Sequence, residues 1–211
     1  MSDSFDQLFL VPGDGVAEQP SDSVPGLRYI PDWLAPPACE SLLLIIDATS
    51  WSTHLRRRVQ HYGHHYDYVR RGMARNSASA TAPALPSWAG ELAARLVREG
   101  IMDQEADQVI VNDYQPGQGI SPHVDCVPCF GPVVAAVSLG SPCLMDFTHS
   151  AEKKKVSVGL APGSLCVMTG PARYAWRHSI AARKSDPGPT GRVARGRRVS
   201  VTFRTVISPP I

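Results

Sequence analysis

The sequence has no apolar run approaching the length of a membrane span. Met1-Ser2-Asp3 opens a mixed acidic segment without the basic start and apolar stretch of a secretory leader. These absences point away from a membrane-embedded or exported chain and lead to the expectation of a soluble cytoplasmic protein. Cysteine is scarce and odd in number: Cys39, Cys126, Cys129, Cys143 and Cys166. Five thiols without a secretory context do not make a disulfide framework, so a reducing compartment is expected. Cys126 and Cys129 have the C-x2-C spacing of zinc ligands, which Cys143 or His149 could complete, but no second matching pair exists and zinc is a minor reading. No internal repeat is present.

Charge is lacking locally and not in total. Against a formal net charge of +2, residues 1–40 contain seven acids and one base, Arg28, whereas residues 54–75 contain six arginines and one acid, Asp67. Clustered arginine suits a polyanion, because neutralising phosphates releases counterions; it equally suits a solvated basic face.

What is present fits one domain with a sizeable core. Residues 1–26, rich in Asp, Ser, Pro and Gly around an apolar island at Phe5 and Leu8–Val11, read as a loosely ordered N-terminal segment, and 27–211 as a single domain. Leu27–Leu34 reads as a short strand and turn. Pro36-Pro37 opens a helix through Cys39, Leu42, Leu43, Ile45 and Ile46, and a second helical pattern runs from Pro86 to Gly100 through Trp88, Leu92, Leu96 and Val97. From Gln108 the texture changes to short apolar runs separated by Gly and Pro: 109–114, 133–139, 143–147, 156–160, 164–169 and 198–206. Lys153-Lys-Lys155 marks a hairpin tip, and Asp186–Arg197 a flexible basic loop. The expected class is mainly β (α+β): a double-stranded β-helix, or jelly roll, over about 108–206, with two N-terminal buttressing helices on one sheet.

The chain is organised around Val109–Asp125, VIVNDYQPGQGISPHVD. On a strand, His123 and Asp125 point to one face and form half of a metal site. His178, in RYAWRHSI, could supply a third ligand from another strand. Two His and a carboxylate make the facial triad of non-haem Fe(II) oxygenases, with positions left for a cosubstrate and oxygen. Alternation places Asn112 and Tyr114 on one face, where an amide and a phenol could meet a carboxylate; singly, they read as a turn residue and a core aromatic. In the last strand Arg198, Ser200, Thr202 and Arg204 share a face. The two arginine α-carbons stand roughly 20 Å apart, so they could hold the two ends of a dicarboxylate. The bland alternative is an edge strand with a polar outer face.

Taken together, Asn112-x-Tyr114, the PGQGISPH loop, His123-x-Asp125, Ser138-Leu-Gly140, His178 and Arg198-x5-Arg204 resemble the AlkB family of Fe(II)- and 2-oxoglutarate-dependent dioxygenases over roughly Arg57–Val206. RRRVQHYGHHYDY and NDYQPGQGISPHVD are most similar to the branch that includes the oxygenase domain of the tRNA wobble-uridine hydroxylases. The resemblance implies that His123, Asp125 and His178 bind Fe(II). It also implies that Arg198, assisted by Tyr114, meets the distal carboxylate of 2-oxoglutarate, and that the oxoacid end lies near Arg204 and Asn112. Dioxygen is the co-substrate, succinate and carbon dioxide are the by-products, and the substrate carbon is hydroxylated; on an N-methyl group the product collapses with loss of formaldehyde.

The family places a nucleotide-recognition lid near residues 54–75. There Arg58, His61, Tyr62, Tyr66 and, beyond the triad, Val127 are candidate substrate contacts, with the tyrosines stacking on an unstacked or flipped base. An ordinary hairpin with a polar outer face is the alternative. Two positions depart from DNA-repairing relatives: Val127 where they often have an acid, and Thr169 where they often have a stacking Trp. Both favour a modified uridine, a bulkier adduct or another nucleotide over simple alkylated-base repair. The expected partner of this monomeric enzyme is single-stranded or flipped-base DNA, or tRNA. The competing readings are the same chemistry on a protein or small molecule, and a non-catalytic module that binds modified RNA.

Overall fold

Proline lacks the N–H that a first helical turn leaves unbonded, and Pro36 and Pro37 duly begin α1 (Pro36–Asp47); α2 (Ser87–Arg98) follows Pro86 in the same way. Both helices bury one face: Cys39, Leu42 and Ile46 of α1, and Ala89, Ala93 and Leu96 of α2. The computed structural model describes residues 23–53, 56–64, 66–67, 72–73, 83–188 and 190–207. The expected N-terminal segment to residue 22 and the Tyr66 side chain lie outside the described residues.

The remaining elements are strands and one short helix. They are β1 (Leu27–Ile30), β2 (Arg58–Tyr62), β3 (Tyr66–Asp67), β4 (Gly72–Met73), β5 (Gln108–Tyr114), β6 (Ile120–His123), β7 (Val134–Gly140), β8 (Cys143–His149), β9 (Lys155–Leu160) and β10 (Leu165–Met168). The helix α3 (Gly170–Tyr174) then leads to β11 (Trp176–Ile180), β12 (Ser185–Gly188), β13 (Gly191–Ala194) and β14 (Arg198–Arg204). A six-stranded sheet in the order β1-β10-β7-β14-β5-β2 faces a four-stranded sheet in the order β6-β11-β8-β9. The expected jelly roll is present, and so are both buttressing helices.

Strand alternation sorts side chains into two cores. Val109, Val111, Val137, Val199, Val201 and Phe203 turn outward from the large sheet onto Leu42, Ile46, Ala93 and Leu96 of the helices. Phe147, Val158, Leu160, Cys166, Met168 and Trp176 fill the space between the sheets. β5 and β14 are covered on both faces, which is why their runs are buried along nearly their whole length.

Three expectations need correction. β14 is central, paired with β5 on one side and β7 on the other, so the edge-strand alternative for Arg198–Arg204 fails. The expected basic loop at 186–197 contains the hairpin β12–β13, pinned by buried Asp186, which accepts hydrogen bonds from Arg183, Arg195 and the Leu144 amide. Cys126 and Cys129 form a disulfide, so neither sulfur is available as a zinc thiolate. A bridge over three residues needs only a local turn and no framework; Cys39, Cys143 and Cys166 are free and buried.

Candidate metal and cosubstrate site

β6 ends at His123, and Asp125 lies just beyond it. The expectation that both ligands sit on one strand is therefore replaced by a strand end and the first turn of the following loop. β11 pairs with β6 so that His178 faces His123 directly, their ring centroids 4.2 Å apart. The loop before β6 lies against β11 through Gly119: a Cβ there would stand 2.2 Å from the Ile180 carbonyl oxygen, so a larger residue would push the ligand strand away. The ligand atoms offered by His123, Asp125 and His178 all lie within 4.8 Å of one another.

The electrostatics suit a cation. Burial disfavours the Asp125 carboxylate, but the Arg204 charge and the adjoining imidazoles outweigh it and hold the carboxyl well below its ordinary range. Burial pushes His178 down to about 4 against the Asp125 charge, so its imidazole is neutral at pH 7 with a lone pair to give. His123 Nδ1 lies 2.8 Å from the Ser121 carbonyl oxygen, which fixes the ring and leaves Nε2 on the Asp125 side, 3.6 Å from Oδ1. Among the described residues the buried Nδ1 of His178 has no hydrogen-bond partner. A neutral imidazole, a second oriented one and an ionised carboxylate converging in this way fit a divalent metal.

The opposite wall belongs to the large sheet. Arg198 and Arg204 are buried, yet among the described residues Arg198 Nε and Nη1 and Arg204 Nε have no hydrogen-bond partner. Arg198 donates from Nη2 to Ser138 Oγ at 2.9 Å, and Arg204 lies 4.5 Å above the Phe130 ring, with Nη1 3.9 Å from Asp125. Buried guanidinium groups with unused donors, one at each end of a strand, suit a dicarboxylate. Tyr114 lies between Arg57 and Arg198, which stand 5.9 and 5.6 Å from its ring centroid. Burial raises the Tyr114 phenol despite those charges and keeps it a proton donor. Asn112 accepts from Arg57 Nε at 2.8 Å, leaving its amide hydrogens for a ligand. All seven expected metal and cosubstrate residues line one cavity of ≈ 1480 Å³.

The expected substrate contacts fare differently. Arg58 points to the helix side of the large sheet, where it pairs with fully buried Asp113 and lies over Trp51. Tyr62 is core: it is 5% exposed, donates to Gln60, and meets Trp88 edge-on. Neither lines the cavity, which corrects their assignment as base contacts. His61 pairs in register with Ile110, a cavity residue, but is not itself in the wall. Val127 is 47% exposed on the loop after Asp125, outside the cavity. The arginines of this segment that do line the cavity are Arg56 and Arg57, and Lys155 and Arg177 of other strands line it too. The expected basic cluster thus reaches the cavity through Arg56 and Arg57 and not through Arg58.

Donor set and anion receptors, held between the sheets of a jelly roll, define the class: an oxygenase that works with Fe(II) and a 2-oxo dicarboxylate. The 2OG-Fe(II) oxygenase superfamily model matches residues 26–204. An uncharacterized protein of Acanthamoeba polyphaga mimivirus is 32% identical, covering 86% of this chain and 85% of its own. The Alkylated DNA repair protein ALKBH8 homolog of Arabidopsis thaliana is 33% identical over 89% of this chain, and the tRNA (carboxymethyluridine(34)-5-O)-methyltransferase alkbh8 of Xenopus tropicalis 32% over 88%. The chain spans 60% and 32% of the lengths of those two relatives. The solved structure of OsALKBH1 shares the fold, with a TM-score of 0.66 at 17% identity, covering 86% of this chain and 97% of that one. The protein belongs to the 2OG-Fe(II) oxygenase superfamily and, within it, to the AlkB family. It is a dioxygenase that uses Fe(II), 2-oxoglutarate and O2.

Proposed function

We propose that the enzyme oxidises a modified base in nucleic acid, presented single-stranded or flipped from its stack. The observation that carries this reading is the charge of the cavity lining. Arg56, Arg57, Lys155 and Arg177 line the same ≈ 1480 Å³ cavity as the triad, and Arg56, Lys155 and Arg177 are exposed to solvent. Drug-sized ligands are served by roughly 300–1,000 Å³, so this space accommodates cosubstrate and nucleoside together, while the exposed cations suit flanking phosphates. Relatives bearing DNA-repair and tRNA-modification names support the same substrate class.

In this reading His123, Asp125 and His178 hold the iron, Arg198 and Tyr114 take the distal carboxylate of 2-oxoglutarate, and Arg204 and Asn112 orient its oxoacid end. Bound together, iron and 2-oxoglutarate supply O2-driven hydroxylation of a C–H bond with release of succinate and carbon dioxide. The protein's part is to place the target carbon and to keep water out; Ile110, Met145, Cys166 and Met168 give the cavity its apolar patches. The test is incubation with Fe(II), 2-oxoglutarate and ascorbate against oligonucleotides carrying methylated, etheno and wobble-uridine modifications, read by mass spectrometry. Oxidation or loss of one modification is expected, abolished in His123→Ala and Asp125→Ala. Succinate formed with every oligonucleotide unchanged moves the substrate to a protein or small molecule.

A further inference from the structure

Arg173 is 2% exposed, among the largest side chains the fold buries completely. A guanidinium so placed ordinarily pairs with a carboxylate, because an unmatched buried charge is costly. Arg173 instead donates to four backbone carbonyls of one loop: Asp125 at 2.8 Å, and Cys126, Phe130 and Gly131 at 3.3 Å each. Its charge is satisfied only while that loop keeps its present path. The loop is otherwise irregular, closed on itself by the Cys126–Cys129 bridge and by the Cys129 and Phe130 amides, which both donate to the Cys126 carbonyl.

What each end of this clamp carries matters more than the clamp itself. Arg173 sits on the one-turn α3, whose C-terminus runs straight into β11 and so into His178. The loop begins at Asp125, and it carries Phe130, the ring beneath Arg204. It is tied to the end of β14 by the Phe130–Val206 bridge and by the Gly131 amide on the Thr205 carbonyl. A metal ligand on one sheet, a metal ligand on a loop and the platform of a cosubstrate arginine thus share a single reference point.

We infer that Arg173 is a positioning residue for both the metal and the cosubstrate, fixing the distance between the His178 strand and the Asp125–Phe130 loop. The inference rests on the iron site and is independent of which substrate the enzyme takes. Its planar fork is the relevant property, since one guanidinium reaches four carbonyls that a lysine's point charge could not span.

The test reads binding, not turnover. Mn(II) affinity and the Mn(II) electron paramagnetic resonance spectrum are measured without oxygen, before and after 2-oxoglutarate, in Arg173→Met and Arg173→Lys. Removing a group that orients a ligand costs about 10- to 100-fold in metal affinity; a loss of that order is expected in Arg173→Met, with an altered spectrum and weaker 2-oxoglutarate binding, and a smaller loss in Arg173→Lys. Arg195→Met, which removes an arginine just past β13 that pairs with buried Asp186, controls for general destabilisation and is expected to bind Mn(II) normally. A folded Arg173→Met with wild-type affinity and spectrum overturns the inference. If that variant does not fold, Arg173→Lys decides in the same way. Equal Mn(II) loss in Arg195→Met also overturns it, by showing that loosening the fold anywhere is enough.

Discussion

Replacing Arg198 by Met separates a binding arginine from a structural one. Arg198 is 3% exposed and donates from Nη2 to the Ser138 hydroxyl, while among the described residues Nε and Nη1 have no hydrogen-bond partner. Truncating one partner of a buried, hydrogen-bonded charge pair costs about 2–5 kcal/mol. Much of the upper range comes from stranding the other charge, and here the stranded group is a ligand carboxylate that can stay in water or turn to the Tyr114 phenol. The expected loss is therefore about 2–3 kcal/mol, or about 30- to 150-fold in the 2-oxoglutarate dissociation constant. Without ligand the sign reverses: the variant removes a buried cation with no carboxylate against it, so the stability of the unliganded protein should hold or rise. Calorimetric titration of 2-oxoglutarate into Mn(II)-loaded protein measures the first quantity, and urea unfolding of the ligand-free protein the second. Unchanged 2-oxoglutarate affinity, or a ligand-free variant that is markedly less stable, would show that Arg198 serves the sheet and not the cosubstrate.

Other outcomes follow from features away from the metal. Asp113 is fully buried between Arg58 and Arg197, both of which can still reach water, so Asp113→Ala should cost about 2–3 kcal/mol in urea unfolding, toward the lower end for a broken buried pair. Burial opposes the Asp186 carboxylate, but Arg195, the Leu144 amide and Arg183 hold it below its ordinary value. Its contribution is thus present above the unfolded carboxyl value near 4 and lost as pH falls through the lower folded value. Urea midpoints should drop through that acid window in the wild type and show a smaller drop in Asp186→Asn. The Cys126–Cys129 bridge closes a loop of about four residues, which by chain entropy stabilises by only about 2 kcal/mol; a dithiol reductant should lower the melting temperature slightly, and a large loss would mean the bridge shapes more than its own turn.

The parts of the site that could be read from sequence are those fixed by strand period and order. Arg198, Ser200, Thr202 and Arg204 share a face in any straight strand, and they share one here. What could not be read was parity. Within RRRVQHY the choice between Arg57 and Arg58 depends on the pairing of β2 with β5, where a slip of one residue exchanges the cavity face for the helix face, and no residue in the segment marks the register. Tyr62 was misassigned for the same reason. Arg173 gave no signal, because its partners are carbonyl groups, which every sequence has. Nor could sequence show that Asp125 lies two residues past the end of its strand, since His-x-Asp fits a strand face and a strand end equally well.

The two halves of the site are built on different sheets: the histidines on β6 and β11, and the cosubstrate residues on β5 and β14. A 2-oxoglutarate held by residues of both sheets would then act as a removable crosslink across the sandwich. Sliding of one sheet over the other would then misalign metal and carboxylate, so cosubstrate concentration would tune how rigidly the sheets are coupled. Amide exchange should register this as slower opening of β6 and β11.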